Sequence, residues 1–599
     1  MKKLINVVSD VVADSLEGLV ALNSDLSLIK ESGVVVRSDA EIAAARGEVA
    51  LISGGGSGHE PAHAGYVGAG MLSAAVAGEV FTSPSTDAVL DAIRAVAGPA
   101  GVLLIVKNYT GDRFNFGLAA EIARSEGLRV DMVVVADDVA LSKTAEHAGR
   151  RGLAGTVLVH KIAGAAAAER RPLREVAQIA RDAAAALGTM GVALTSCTVP
   201  AAGKPGFTLG ENEIEWGLGI HGEPGVRRAV LEPANAMVET LLATIIDDMT
   251  LSTHERVALL VNNLGGTPAS EISIVAGAAL RYLKSRNIRV ERAWAGTFLS
   301  ALEMAGVSLT LLRVDDQRIA WLDADSCATA WPQSGGQPSD LAHRELKSSR
   351  TLSNGPGLSR QSRLRQVIEA VCNAMIDAEP VLTEMDQRVG DGDFGISASR
   401  VSRAVLSAID ECPPESEPAA VLRELSATVR RVMGGTSGPL YAVMLLRAAS
   451  EIEGGGAAPT AQHWADALAA AVQGVMDLGG ARPGDRTMVD ALDPASQALH
   501  HALDAHADGN ASAHASADAS ASAGASAEAS GSAGAHAGAA AIRLLDAAVE
   551  AAQQGAQATA NMHPKRGRSS YVGERALGFV DPGAHAIGLW LAAIRDAIC

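Results

Sequence analysis

Asp386-Gln387-Arg388-Val389-Gly390-Asp391-Gly392-Asp393-Phe394-Gly395 is the stretch on which the reading of the carboxyl-terminal half turns. Three carboxylates fall within eight residues, spaced five and then two apart, so they do not share one helical face. An apolar helical period (Leu364, Val367, Ile368, Val371, Met375) runs up to them, which predicts acids placed where a helix gives way to a loop. Glycine lets the backbone turn sharply enough to aim three acids at one point. Converging carboxylates repel unless a cation neutralises them. Hard oxygen ligands on a flexible loop suit Mg²⁺, which commonly works with substrate phosphates. A solvated acidic turn is the common fate of Asp-Gly sequences, but two spaced glycines and a third acid argue against it here. An EF-hand is excluded, because no Glu stands at the required distance.

Composition narrows the partners. The 599 residues suffice for more than one domain. A net charge of −18 and a pI near 5.3 argue against nucleic acid and anionic membranes. No apolar run is long enough to span a bilayer. Met1-Lys2-Lys3 soon meets Asp10, Asp14 and Glu17 with no signal-peptide core, so a soluble cytoplasmic protein is expected. The five cysteines (197, 327, 372, 412, 599) form no metal or disulfide spacing.

In the amino-terminal half, Val12, Leu16, Leu19, Val20 and Leu22 predict a helix over 11–30. Val34–Val36 and Val49–Ile52 read as buried strands. The second runs into Ser53-Gly54-Gly55-Gly56-Ser57-Gly58-His59-Glu60-Pro61, a glycine loop of the kind an α/β sheet places beside its ligand. His59 stands where the dinucleotide fingerprint needs glycine, and the Lys-Ser/Thr end of a Walker loop is missing. The strand Gly101–Lys107 ends in Asn108-Tyr109-Thr110-Gly111-Asp112, which puts Lys107 and Asp112 on the ligand side of a sheet, although Asp112 also fits as the cap of a helix beginning near Phe114. A further strand at Val130–Val135 completes an alternating α/β pattern.

From about 190 a second α/β unit is expected. It includes Gly217-Leu218-Gly219-Ile220-His221-Gly222-Glu223-Pro224-Gly225, whose formal dinucleotide spacing fails because Glu223-Pro224 stand where a helix should begin. The polar, turn-rich residues 333–360 read as a linker. Beyond 361 helices dominate. Gly434-Gly435-Thr436-Ser437-Gly438-Pro439 precedes an apolar helix and offers backbone N–H groups to a phosphate. Arg482–Met488 forms a second loop, and Lys565-Arg566-Gly567-Arg568 is the densest positive cluster. The Ala/Ser-rich tract 506–541 has no hydrophobic period and reads as a flexible or weakly helical insertion.

Read together, these residues resemble the single-chain, ATP-dependent dihydroxyacetone kinases. Five motifs stand in that family's order: Gly54–Pro61, Asn108–Asp112, Gly219–Gly225, Asp386–Gly395 and Gly567–Gly578, with Asp581-Pro582-Gly583-Ala584 also fitting. The resemblance implies a ketose-binding α/β domain over 1–332, with subdomains 1–189 and 190–332, followed by an all-α helical-barrel nucleotide domain over 361–599. It implies that His221 adds to the substrate carbonyl as a covalent hemiaminal, that His59 assists, and that Asp112 takes the proton of the attacking hydroxyl. Gly55, Gly56, Ser83 and Lys107 would be the other substrate contacts. Asp386, Asp391 and Asp393 would hold Mg²⁺ against ATP, with Gly435, Ser437, Thr487, Met488, Arg568 and Asp581 lining the nucleotide. Phe394 departs from the family, where many relatives carry His or Cys. The implied partners are ATP and a ketose or aldose, in a homodimer. Glyceraldehyde or erythrulose as substrate, cyclisation of FAD, and a non-catalytic ketose sensor are the competing readings.

Overall fold

Short valine-rich segments pair into two six-stranded sheets. In the computed structural model the chain divides into two compact units, Met1–Arg344 and Glu345–Cys599. It describes residues 2–598 except 142–148, 224, 333–335, 339–357, 455–458, 518–528 and 568, with the backbone alone for 507–517, 529–541 and Tyr571. Most of the expected linker, the middle of the Ala/Ser tract and Arg568 therefore lie outside the described residues.

The first sheet of the first unit holds β1 (Leu26–Ile29), β2 (Val34–Arg37), β3 (Ala50–Ser57), β4 (Ala74–Val80), β5 (Val102–Lys107) and β6 (Val130–Val135), in the order β1-β2-β4-β3-β5-β6. β4, β3, β5 and β6 run parallel, and β1 and β2 join antiparallel. The second sheet holds β7 (Leu187–Ala193), β8 (Glu213–Trp216), β9 (Arg227–Val230), β10 (Arg256–Asn263), β11 (Arg289–Gly296) and β12 (Gly306–Arg313), in the order β11-β10-β12-β7-β8-β9. The expected helix over 11–30 stops at Ala21, and Leu26–Ile29 instead pairs with Val34–Arg37. The polar run Asn23-Ser24-Asp25 breaks the helical period, and the Asn23 side chain caps the helix by donating to the Leu19 carbonyl at 2.7 Å.

The glycine segment after Ile52 is strand rather than loop. β3 continues to Ser57, with Gly54, Gly55 and Gly56 paired to Val76, Ala77 and Gly78 of β4. A Cβ at Gly54 would drive into the Val76 carbonyl oxygen and lie 2.9 Å from Phe116 Cζ. The bare strand thus lets its neighbours close in.

Between the sheets lies the helix Gly155–Ala168, buried on every side. Its Leu158 and Ile162 pack with Leu51, Leu103 and Ile105 of the first sheet and Leu260 and Leu312 of the second. Full burial of each such side chain contributes about 1.5–3 kcal/mol. Helices Thr86–Val96 and Thr110–Ser125 cover the other face of the first sheet, where Val89, Ile93 and Phe116 meet Ile52, Leu104 and Val106.

Among the described residues the second unit is helical. Helices Arg363–Asp377, Phe394–Ala408, Pro418–Val432, Ser437–Gly454, Ala461–Gly479, Val489–Ala517, Ala529–Ala558 and Pro582–Ile598 each pack on the next, and the last returns to the first, closing a barrel. Its apolar interior includes Val371, Leu425, Met444, Leu468 and Trp590 and leaves a cavity of about 610 Å³. Among the described residues no helix is long and apolar enough to cross a membrane.

Gly54→Ala should cost about 1–3 kcal/mol, the usual penalty for overpacking a dense core. Calorimetry of the full chain should show the loss in the transition of the first unit and none in that of the second.

Candidate functional site

β3 and β5 are parallel neighbours, so their carboxyl ends open on one side of the first sheet. Lys107, the last residue of β5, is fully buried, with Nζ 3.9 Å from Asp112 Oδ2. Helix Thr110–Ser125 starts earlier than expected, so Asp112 sits inside its first turn rather than at its cap. A Cβ at Gly55 would lie 2.6 Å from Lys107 Nζ and 3.3 Å from Asp112 Oδ2. The missing side chain therefore lets an ammonium and a carboxylate close on the backbone of β3. Ser83 borders the same corner: a Cβ on Gly111 would lie 3.1 Å from Ser83 Cβ. A Cβ at Gly56 would strike the Phe81–Thr82 backbone, with Thr82 N at 2.5 Å, so the bare glycine seats that turn.

His221 comes from the loop after β8 and meets His59 with ring centroids 4.8 Å apart. Phe81 stacks on His59 at 5.1 Å, and Tyr109 meets the His221 ring edge-on at 4.6 Å. His59 is buried, and its Nδ1 lies 2.8 Å from the Ser300 carbonyl oxygen. A carbonyl only accepts, so the proton sits on Nδ1 and Nε2 presents a lone pair, which has no partner among the described residues. Burial, then the nearby His221 and Lys107, hold the His59 pKa well below its ordinary value. His221 Nδ1 lies 2.9 Å from Glu223 Oε1, while its backbone N–H donates to Oε2 at 3.0 Å. The carboxylate thus takes the Nδ1 proton side and leaves Nε2 as the basic nitrogen. Burial works against the Glu223 charge, but the His221 hydrogen bond and charge, with Arg151, bring its pKa down to about 2. Arg151 anchors this loop by donating to Asp138 at 2.6 Å and to the Gly217 carbonyl at 2.6 Å.

In the second unit Asp386, Asp391 and Asp393 each place a carboxylate oxygen within 4.8 Å of the others. Asp386 lies in the helix Glu379–Val389, while Asp391 and Asp393 follow in the turn before Phe394. Asp386 Oδ2 accepts from the Phe394 N–H at 3.2 Å, which steers the carboxylate toward the turn. Three oxygens so close, two of their residues exposed, match the donor set of a Mg²⁺ that keeps several waters or phosphate oxygens. Gly435 is left-handed at φ 67° with open space where a Cβ would be, and Ser437 opens the next helix with Pro439 in its first turn. Thr487 and Met488 follow Arg486, and Gly583 packs between Asp581 Oδ1 and Met488 Cβ. Burial raises the Asp581 pKa to about 6, with the Asp490 and Asp386 charges adding to the rise. The Asp581 charge is also felt by Tyr441, on the helix that Ser437 opens.

Residues 17–330 match the Dak1 domain, and residues 388–542 and 525–596 match the DAK2 domain. The chain belongs to the dihydroxyacetone kinase family. A dihydroxyacetone kinase of C. freundii, solved with AMP-PNP and Mg²⁺, shares its architecture at a TM-score of 0.60 and 33% identity, covering 99% of each chain. The family thus supports a kinase that uses ATP and a small-molecule substrate. The Homo sapiens protein named triokinase/FMN cyclase is 42% identical over 100% of this chain and 99% of its own. A D-erythrulose kinase of Mycolicibacterium smegmatis is 33% identical over 100% of this chain and 99% of its own.

Glu223, Tyr109, Phe81, His63 and Arg486 carry no role in the sequence pattern. Glu223 and Tyr109 lie inside quoted motifs, but a contact between His221 and the residue two places on is a property of loop geometry. Arg486 is fully buried, with Nη2 donating to the carbonyls of Ala576 at 3.2 Å and Phe579 at 2.9 Å. Only its place between Asp485 and Thr487 could have drawn attention to it.

His59, His63 and His160 are buried, and burial first of all depresses the pKa of each, that of His160 to about 3. Once unfolded they bind protons below about pH 6.5, so stability is present above that value and is lost as pH falls. Each contributes up to about 1.4 kcal/mol per pH unit. The melting temperature of the first unit should therefore drop between pH 6.5 and 5. His160→Phe, which removes a ring whose nitrogens have no partner, should flatten that slope by roughly a third when followed by calorimetry.

Proposed function

We propose that this protein phosphorylates a short-chain hydroxy-carbonyl compound, dihydroxyacetone foremost, at the expense of ATP. The observation that carries the reading is the His221 ring: Glu223 holds its Nδ1 at 2.9 Å, beside a neutral His59 whose Nε2 lacks a partner. An imidazole so arranged adds through Nε2 to a carbonyl carbon. The C–N bond forms as the carbonyl π bond breaks and its electron pair goes to oxygen; the Nδ1 proton passes by way of Glu223 and solvent to that oxygen, which becomes a hydroxyl. His59 Nε2 accepts a hydrogen bond from that hydroxyl, and Lys107 donates toward the substrate oxygen beside Gly55. A covalent tether fixes a ligand too small to be oriented by hydrogen bonds alone, and it excludes glycerol, which has no carbonyl. Asp112 accepts the proton of the free hydroxyl as it attacks the γ-phosphorus, and ADP leaves.

Asp386, Asp391 and Asp393 would hold Mg²⁺, which neutralises phosphate charge and aligns the oxygens when bound. Gly435 and Ser437 supply backbone donors to the phosphates, and Thr487, Met488 and Asp581 border the nucleotide. Arg568 belongs to the same proposal but lies outside the described residues. A second reading, metal-dependent cyclisation of FAD, is favoured by the human relative's name, triokinase/FMN cyclase. Incubation with FAD and Mn²⁺ tests it.

ADP release from Mg·ATP, compared across dihydroxyacetone, D-glyceraldehyde, erythrulose and glycerol, is the deciding measurement. Turnover on a carbonyl substrate and none on glycerol is expected, and turnover on glycerol would refute the tether. His221→Ala should abolish the covalent adduct in the intact mass spectrum. Asp112→Asn should keep the adduct and lose about 10²–10⁴-fold in kcat. Asp391→Asn should lose Mg·nucleotide binding in a calorimetric titration.

A further inference from the structure

His63 lies four residues beyond His59 and has no part in the mechanism above. It is buried, with Nδ1 3.4 Å from Ser53 Oγ and Nε2 3.2 Å from Lys107 Nζ. The tautomer follows from the partners. Ser53 Oγ donates its one proton to the Ile105 carbonyl at 2.7 Å, so toward His63 it can only accept. The His63 proton is therefore on Nδ1, and Nε2 offers a lone pair to the Lys107 ammonium.

Resting on the proposed ketose chemistry, we infer that His63 is a positioning residue that holds the Lys107 ammonium off Asp112 and aims it at the substrate space beside Gly55. An ammonium has three donors and no acceptor. One is committed to His63 Nε2. Asp112 Oδ2 stands 3.9 Å away, too far for a direct hydrogen bond. A Cβ on Gly55 would lie 2.6 Å from Nζ, so the amine sits against the bare backbone of β3 and any side chain there would displace it.

Without the His63 acceptor the buried ammonium would turn to the nearest carboxylate. Lys107 and Asp112 would then close into a tight pair, the amine would leave the substrate, and the carboxylate would be a poorer base. The identity of the acceptor matters. A carboxylate at position 63 would neutralise Lys107, whereas a neutral imidazole orients the amine and leaves its full charge for the substrate. Burial and the adjacent Lys107 keep His63 in that neutral form. His160 packs edge-on against His63 at 5.2 Å and supports the ring from behind without offering it a charge.

Two variants of the full chain test this. His63→Leu removes the acceptor, and His63→Gln keeps one in its amide oxygen. His63→Leu should lower kcat on dihydroxyacetone by roughly 10–100-fold, the range of a lost orienting contact, and still form the His221 adduct by mass. His63→Gln should recover to within about threefold of the parent. Equal losses in both variants, or none in either, would overturn the inference. If His63→Leu does not fold, Ser53→Ala serves, because it frees the Nδ1 proton and should give a smaller kcat loss with the adduct retained. An unchanged kcat there would count against the proposal. NMR of the free protein with ¹⁵N-histidine reads the tautomer without substrate: a proton on Nδ1 of His63 is expected, and a proton on Nε2 would refute the Lys107 contact. Absence of turnover and adduct in the parent protein would defeat the ketose reading, and the aiming role with it. The Nδ1 tautomer would still show that His63 Nε2 offers Lys107 a lone pair, so the two failures can be told apart.

Discussion

Strand β3 has no room for a side chain at Gly54 or Gly56 and a positive φ of 151° at Gly55, and the first site depends on that bareness. Because Gly54 carries no Cβ, β4 and Phe116 approach the strand closely. Because Gly56 carries none, the Phe81–Thr82 turn folds back against it and sets Phe81 on the His59 ring. Because Gly55 carries none, the Lys107 ammonium reaches the space in front of the strand. A buried lysine loses much of its hydration, and that loss must be offset by polar partners. Here the offsets are His63 and Asp112, which come from two different segments of the chain. A side chain at any of the three positions would separate groups that work only when adjacent.

Much of this was legible. Runs such as Val130–Val135 and Gly101–Lys107 are short, rich in β-branched residues and bounded by turn residues, and they form β6 and β5. The three aspartates were legible as a cluster because their spacing defies a single helical face. The glycine run points to a ligand site but carries the pattern of a loop, since glycine weakens strands in general and the approach of β4 keeps this one extended. The helix Gly155–Ala168 carried no signal, because a helix buried on every side has no polar face and so no period to detect. The pairing of Glu223 with His221 was invisible for another reason: residues two apart in an irregular loop obey no spacing rule.

The second unit reaches its site by a different route. Its barrel closes through helix–helix contacts, and the groups of interest gather at helix ends and in the loops beside them. Arg486 shows how these loops are tied. Its left-handed φ of 62° and its bonds to the Ala576 and Phe579 carbonyls couple the 482–488 loop to the segment before Pro582. Thr487 and Met488 therefore take their positions from a buried guanidinium that itself lies 3.9 Å from Asp581.

The two units also manage charge in opposite ways, and the chemistry explains why. On the proposed reading, His221 adds to a carbonyl beside neutral acceptors: the first unit buries His59 and His63 until protonation is disfavoured, and sets the Glu223 carboxylate against His221 to orient it. Binding a triphosphate needs the reverse. A polyanion will not approach three converging aspartates by itself, and the aspartates cannot relieve one another. Only a cation shared between protein and nucleotide makes the arrangement favourable, so negative charge on the protein becomes a requirement for the metal before it becomes an affinity for the nucleotide. On the proposed reading the substrate side therefore works through its own neutral and charged side chains, while the phosphate side calls for a cation shared with the nucleotide.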